Sequence, residues 1–357
     1  MAQIRSKPFG VTKEGANVTE YILSNPGGLT VSVLDYGCVI KSIIVPAKNG
    51  PVDVVVGHDT MADYEADFNS SGSTCCGAFV GRYANRIENA VFTVGGKTYQ
   101  LEANNGPNHL HGCFSRKLYR VKSFGDTLLM EAESPDGEDG FPGNLKIAVR
   151  YTLTEDNAFR MDYRVSSDAD TIVNLTNHSY FNLDGGGDVL NQKLRIYASR
   201  YLEGNNQCCP TGAILPVADT PMDFTAGKLI GRDIDTGFSQ TTMAGGGYDH
   251  CYVIDRARGS SQSICAWATS DKTGISMKLY TTQPGIQLYT ANFLQDCPSP
   301  GKGGKPLQKY GGFALETQHY PCSPSHPEFP STVLRAGKVF RATTTLRFFT
   351  GKQCGKL

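Results

Sequence analysis

Hydrophobic and polar residues alternate along much of the chain with the period of two that is typical of β-strands. Residues 145–153 carry apolar side chains at every second position, and residues 159–165 repeat the pattern after a polar break. This pattern predicts an antiparallel pair of strands with one buried face. The same alternation over residues 275–279 and 286–288 predicts two more strands.

Turn signals separate these runs, and helical periodicity is scarce. Gly95 and Gly96 divide the runs 91–94 and 97–101, which predicts a hairpin with a two-residue turn. Residues 59–67 are the best candidate for a short helix. We therefore predict an all-β fold, a large antiparallel β-sandwich with few short helices. No change of composition marks a boundary, so we expect one domain over residues 1–357.

Charge and apolar content exclude several classes of function. Lys plus Arg and Asp plus Glu both number 34, so no net charge attracts nucleic acid or an anionic membrane surface. No apolar run approaches the roughly 18 residues of a membrane-spanning helix, and the N-terminal MAQIRSKPFG lacks the apolar core of a signal peptide. We therefore expect a cytoplasmic protein that binds neither nucleic acid nor membranes.

The 11 cysteines do not follow a metal-binding or disulfide pattern. No C-x-x-C pair occurs, and Cys75–Cys76 and Cys208–Cys209 are adjacent in the chain. Adjacent cysteines have poor geometry for ordinary disulfides and for zinc clusters. We expect them to be free thiols in a reducing compartment.

Residues 171–187, TIVNLTNHSYFNLDGGG, combine strand-like composition with many hydrogen-bonding side chains. Asn174, Asn177, His178 and Tyr180 alternate with apolar residues there. Burying so many polar groups is costly unless each finds a partner. A ligand rich in hydroxyl groups would supply such partners, so we predict that this segment faces a sugar, with His178 as a catalytic acid.

Five other polar segments accompany this one in a recognisable order. They are GRYANRI (81–87), HLHG (109–112), GGYDH (246–250), TTQPGIQLYTAN (281–292) and LETQHYP (315–321). Together with NLTNHSYFNL (174–183), they resemble the aldose 1-epimerase (galactose mutarotase) family from about residue 10 to about residue 350. The resemblance implies a galactose mutarotase-like supersandwich with an open cleft and no metal or cofactor. It also implies an enzyme that interconverts the α and β anomers of free aldohexoses such as galactose and glucose.

The resemblance further implies a role for eight residues. His178 matches the general acid of the family and Glu316 its general base. Arg86, His111 and Asp249 match residues that hold sugar hydroxyls, and Asn85, Tyr180 and Gln283 fall where relatives also touch the ligand. The sequence departs from common family patterns at Cys75–Cys76 and at Cys322, which leaves the sugar preference open.

Opening a cyclic hemiacetal requires one group that takes a proton from the anomeric hydroxyl and one that gives a proton to the ring oxygen. A carboxylate and an imidazole are sufficient for this exchange. Two other functions stay open: a glycoside hydrolase with Asp249 and Glu316 as its carboxylate pair, and a sugar-binding protein without catalysis. His109 and His111 could suggest a metal pair, but no further ligand pattern supports zinc. We expect a monosaccharide ligand and a monomer or homodimer.

Overall fold

A computed structural model describes residues 2–256 and 259–351, which form 28 strands and two helices. The helices are α1, Met61–Phe68, and α2, Ser239–Met243; neither is long and apolar enough to cross a membrane. The strands are β1 Gln3–Val11, β2 Asn17–Ser24, β3 Thr30–Leu34, β4 Ile40–Val45, β5 Val52–Asp53, β6 Phe79–Val80, β7 Arg86–Ile87, β8 Val91–Val94, β9 Lys97–Gln100, β10 His109–Leu110, β11 Arg120–Phe124, β12 Thr127–Ser134, β13 Leu145–Leu153, β14 Ala158–Ser167, β15 Thr171–Ile172, β16 Thr176–Asn177, β17 Tyr180–Phe181, β18 Lys193–Ile196, β19 Arg200–Gly204, β20 Pro210–Pro216, β21 Lys228–Leu229, β22 Asp249–Val253, β23 Ser263–Thr269, β24 Ile275–Thr281, β25 Gly285–Tyr289, β26 Phe313–Gln318, β27 Val333–Leu334 and β28 Val339–Thr350.

Three antiparallel sheets make up most of the molecule. Their strand orders are β1-β2-β3-β4-β5, β11-β12-β13-β14-β28-β24-β23-β18-β21 and β17-β26-β25-β22-β19-β20. The main apolar core draws residues from all three sheets, among them Val33, Tyr151 and Leu288. The predicted all-β sandwich is therefore confirmed.

The local predictions are confirmed with small shifts. Strands β8 and β9 form the hairpin, and both turn glycines have positive φ, as a two-residue turn of this kind requires. The predicted helix begins at Met61 rather than at residue 59 because Thr60 is its N-cap, whose hydroxyl accepts a hydrogen bond from the Asp63 amide. Strands β24 and β25 belong to different sheets, so the turn at residues 282–284 carries the chain from one sheet to the other.

The six-stranded sheet has one apolar face and one polar face. Ile286, Leu288 and Leu315 point into the main core. Gln287 lies between Ile286 and Leu288, and it pairs across β25 and β26 with Glu316, the residue after Leu315. Gln287 and Glu316 therefore share the opposite face. The polar side chains singled out in this part of the sequence thus come together by the period-two geometry of the strands.

The described cysteines form no disulfide bond. Ten of the 11 are free thiols, and Cys354 lies outside the described residues. Most are buried, including Cys75, Cys76 and Cys209. The expectation of free thiols is confirmed for these ten.

Candidate active site

A cavity of about 130 Å³ opens on the polar face of the six-stranded sheet. Seven of the eight predicted site residues line it, and Gln283 does not. The lining residues are Gly72, Ser73, Thr74, Asn85, Arg86, Leu110, His111, His178, Tyr180, Cys208, Asp249, Tyr289, Phe293, Leu294 and Glu316.

His178 and Glu316 face each other inside this cavity. Nε2 of His178 lies 3.6 Å from Oε1 of Glu316, and both side chains are almost fully buried. Strand β26 carries Glu316, whereas His178 sits between β16 and β17. Backbone hydrogen bonds from His178 to Ala78 and from Gly77 to His178 fix the position of the histidine. Two residues far apart in sequence are thereby held within reach of one small ligand.

Each member of this pair has a second polar atom that is buried and unpartnered among the described residues. These atoms are Nδ1 of His178 and Oε2 of Glu316. A buried polar atom without a hydrogen bond costs about 1–3 kcal/mol. The cavity is thus suited to a ligand that can donate and accept hydrogen bonds.

The burial of the pair shifts both of its pKa values. Burial raises the pKa of Glu316 to about 8; the Asp249 carboxylate adds to this rise and Arg86 opposes it. Burial lowers the pKa of His178 to about 4, against the attraction of Asp249. Between these two values the pair holds one proton, and moving that proton from the carboxyl to the imidazole gives the ionised form of the same state. One proton carrier and one proton acceptor are therefore present at neutral pH.

A second charged pair lies at the wall of the cavity. Nη1 of Arg86 is 3.8 Å from Oδ2 of Asp249. Nε of Arg86 donates to Asn105 Oδ1 at 3.0 Å, and Nε2 of Gln287 donates to Asp249 Oδ1 at 2.6 Å. Burial acts to lower the pKa of Arg86, but the Asp249 carboxylate together with Cys208, Cys209 and Cys322 outweighs it, and the net effect is a raised pKa. The Arg86 guanidinium therefore stays charged and can form strong hydrogen bonds with hydroxyl groups.

His111 is held in one tautomer by Asn85. The backbone amide of Asn85 donates to Nδ1 of His111 at 3.2 Å. Burial, with His178 nearby, lowers the pKa of His111 well below its usual value, so the ring is neutral. Because Nδ1 accepts a hydrogen bond, the proton of the neutral ring is on Nε2. His111 is therefore a hydrogen-bond donor at the cavity wall.

Two tyrosines complete the wall behind His178. The ring centroid of Tyr180 lies 4.8 Å from that of His178, and Tyr289 lies 6.0 Å from Tyr180. The Tyr180 hydroxyl donates to the Thr74 carbonyl at 3.1 Å. Tyr180 therefore supports the histidine ring, with its hydroxyl engaged by the protein backbone.

Gln283 is the predicted site residue that does not line the cavity. It lies in the turn before β25, with its side chain buried but not on the cavity. Gln287, four residues further along, is the glutamine that contacts Asp249. Gln287 and Tyr289 both belong to the segment TTQPGIQLYTAN. Gln287 pairs with Glu316 across β25 and β26, and Tyr289 lies two residues further along β25, so both share the sheet face of Glu316. Alternation along the strand would therefore have identified them. Thr74, Cys208 and Phe293 come from loops and had no such signal.

Arg82, the second residue of the motif GRYANRI, does not line the cavity. Its guanidinium is buried and donates to the carbonyl groups of Ser134, Pro135 and Pro142. Nδ1 of His109 donates to the Glu102 carbonyl oxygen at 2.8 Å, and His109 belongs to no potential metal group among the described residues. At the cavity itself, His111, His178 and Glu316 place ligand atoms within 4.8 Å of one another and could hold a metal ion.

Comparison with known proteins identifies the fold and the family. The solved aldose epimerase homologue from C. elegans is 30% identical, with a TM-score of 0.83, over 97% of this chain and 99% of that one. The galactose 1-epimerase from Lactobacillus acidophilus is 25% identical, with a TM-score of 0.85, over 98% and 100%. The fold is therefore that of the galactose mutarotases.

Sequence relatives give the same result. The family described as aldose 1-epimerase matches residues 19–347. The galactose mutarotase of Rattus norvegicus is 35% identical over 98% of this chain and 99% of its own length. The aldose 1-epimerase of Escherichia coli is 36% identical over 91% of this chain and 94% of its own. The chain belongs to the aldose 1-epimerase family, as the motif resemblance implied, and is an isomerase of the mutarotase type.

Proposed function

We propose that the protein interconverts the α and β anomers of free aldohexoses such as galactose and glucose, with Glu316 as the base and His178 as the acid. The observation that carries this proposal is the 3.6 Å distance between the two side chains in the cavity. The anomeric hydroxyl oxygen and the ring oxygen of a pyranose are bonded to the same carbon. Two proton carriers this close together can therefore serve both oxygens of one sugar.

The reaction begins from the form with an ionised carboxylate and a protonated imidazole. Glu316 takes the proton of the anomeric hydroxyl while His178 gives a proton to the ring oxygen, and the bond between the anomeric carbon and the ring oxygen breaks. The open-chain aldehyde rotates about its bond to the next carbon. On closure, the former ring oxygen bonds to the other face of the carbonyl carbon and returns its proton to His178, while Glu316 gives its proton to the carbonyl oxygen, which becomes the hydroxyl of the other anomer.

The other lining residues orient the sugar. Arg86 and Asp249 provide charge-assisted hydrogen bonds, which are the strong ones for hydroxyl recognition. His111 adds a neutral donor, and Asn85 and Tyr180 fix the two histidines. Because these contacts hold the sugar with its ring oxygen next to His178, the proton is transferred within one complex and not between separate molecules in solution.

Polarimetry of freshly dissolved α-galactose tests the assignment. Optical rotation should relax faster with the protein than without it. Glu316→Gln and His178→Asn should each lower the enzymatic rate by about 10²–10⁴-fold, the usual contribution of a general acid or base. His319→Asn is the matched control, since His319 is a histidine of the same region outside the cavity. Unchanged rates in both catalytic variants would refute the roles.

The two other functions predicted from the sequence are less well supported. Asp249 is engaged by Arg86 and Gln287, which suits a binding carboxylate better than one of a hydrolytic pair. Release of a chromogenic group from a galactoside would favour the hydrolase. Both proton carriers are present, which argues against a silent binding protein; calorimetric binding of galactose without faster anomer exchange would support that function.

We also propose that the protein is cytoplasmic and is a monomer or a homodimer. Free thiols at ten described cysteines are consistent with a reducing compartment. Light scattering on the purified chain distinguishes a monomer from a homodimer. Fractionation of cells that produce the protein tests the compartment.

A further inference from the structure

Three side chains that commonly bind metals meet outside the sugar cavity. His58, Asp67 and Cys297 place one ligand atom each within 4.8 Å of the others. They come from three segments: the loop before α1, the last turn of α1, and the chain that follows Leu294. His58 and Asp67 are fully buried and Cys297 is half-buried. None of them has a part in the proposed reaction.

Hydrogen bonds orient the first two groups toward a common point. Nδ1 of His58 lies 2.7 Å from the carbonyl oxygen of Pro300 and must donate to it, because a carbonyl can only accept. Nε2 then points at Oδ2 of Asp67, 3.3 Å away. The amide and the hydroxyl of Thr74 donate to the two Asp67 oxygens at 2.7 and 2.5 Å. Metal-binding histidines are typically oriented by such a carbonyl, and ligating carboxylates by such donors.

The charges of the three groups match a divalent cation. Binding a cation at these atoms requires that Nε2 of His58 and Sγ of Cys297 give up their protons, after which Asp67 and Cys297 contribute two negative charges and His58 none. A 2+ ion among them makes the buried group neutral, which limits the cost of burying charge. One nitrogen, one oxygen and one sulfur ligand suit zinc, a borderline-soft ion that binds all three. We propose that His58, Asp67 and Cys297 form a structural Zn²⁺ site.

The position of this zinc site gives it a role in shaping the sugar cavity. Thr74, which donates to Asp67, lines one wall of the cavity, and Leu294, three residues before Cys297, lines another. A metal ion would therefore connect both walls through its ligands. The Thr74 hydroxyl also lies 3.1 Å from Sγ of Cys76, which places a second thiol next to the site. Binding should raise thermal stability while leaving the catalytic groups in place.

Titration with Co²⁺ tests the site directly. The full chain is treated with a chelator, dialysed and titrated with Co²⁺ alone. We expect one Co²⁺ per chain, with the near-ultraviolet charge-transfer absorption of a cobalt–thiolate bond, and displacement of Co²⁺ by Zn²⁺. Zn²⁺ should also raise the melting temperature of the wild-type protein.

Matched variants decide which residues bind. Cys297→Ser and Cys297→Ala should lose the absorption and weaken Zn²⁺ binding by more than about tenfold, whereas Cys265→Ser, at a buried cysteine in the nine-stranded sheet, should retain both. Glu316→Gln removes a member of the other potential metal group and should also retain both. The absence of a thiolate band, its persistence without Cys297, or its loss in Glu316→Gln would each overturn the proposal. These outcomes do not depend on whether the protein exchanges anomers.

Discussion

The proton content of the Glu316–His178 pair determines how the reaction should depend on pH. Burial raises the pKa of Glu316 to about 8 and lowers the pKa of His178 to about 4. Below about pH 4 both groups are protonated and no base remains. Above about pH 8 both have lost their protons and no acid remains. We therefore expect a bell-shaped dependence of kcat/KM on pH, because this ratio reports the groups of the free enzyme.

The size of the effect follows from the same values. Raising the pKa of a carboxyl group from 4.5 to about 8 corresponds to about 5 kcal/mol in favour of its protonated form. Below about pH 4 and above about pH 8, each further pH unit removes about nine-tenths of the Glu316–His178 pairs that hold one proton. The value of kcat/KM at pH 9 should therefore be about a tenth of the value at pH 6 to 7.

The measurement is polarimetry of α-galactose between pH 3.5 and 9.5, with the rate of the buffer alone subtracted at each pH. Asp249→Asn provides a second perturbation. Removing this carboxylate takes away an influence that raises the pKa of Glu316 and leaves Arg86, which lowers it. The alkaline limit, which is the pH above which kcat/KM falls, should therefore move to lower pH in Asp249→Asn, and sugar binding should become weaker.

Two results would refute this account of the pair. One is a flat profile through pH 9 in the wild-type protein. The other is an alkaline limit that stays in place or moves upward in Asp249→Asn. Either would mean that the pair does not carry out both proton transfers of the reaction.

Two substitutions test the geometry of the cavity wall and of the loop beside it. Gln287→Met removes the hydrogen-bond donor to Asp249; a hydrogen bond to a charged group is worth about 1.5–3 kcal/mol, so KM should rise about tenfold or more. Gln283→Met is the control and should leave KM unchanged. Equal effects of the two substitutions would show that Gln283 also contributes to sugar binding. Gly112→Ala places a methyl group 2.5 Å from a backbone carbonyl oxygen, whereas Gly125→Ala, also at positive φ, meets nothing within 4 Å. In urea unfolding, the first variant should lose about 1–3 kcal/mol more than the second, and equal losses would show that the loop adjusts freely.

The strands could be predicted where one face is buried and the other is not. Residues 145–153 and 158–167 form long paired strands whose burial alternates along the chain, so periodicity was sufficient. The assignment of β24 and β25 to different sheets could not be derived in this way. Only the packing of the two sheets decides whether the turn at residues 282–284 closes a hairpin or leads across.

The site was predictable where a motif and a strand coincide. Asp249 and Glu316 stand on strands of one sheet, and both line the cavity. Gln283 was predicted to touch the ligand but does not line the cavity; composition does not show that it precedes the first residue of β25. Phe293 and Thr74 reach the cavity through loops, whose course depends on contacts between segments distant in sequence.

The division of the cavity between sheet and loops has a consequence for how such an enzyme can diversify. Glu316 and Asp249 are anchored in a hydrogen-bonded ladder, where a shift of one strand would disturb several neighbours at once. Ser73 and Phe293 occupy the rim on connecting segments. Exchanging residues at the rim can change which sugars are accepted while the proton-transfer machinery stays intact. Libraries for new substrates should therefore vary the rim and leave the ladder alone.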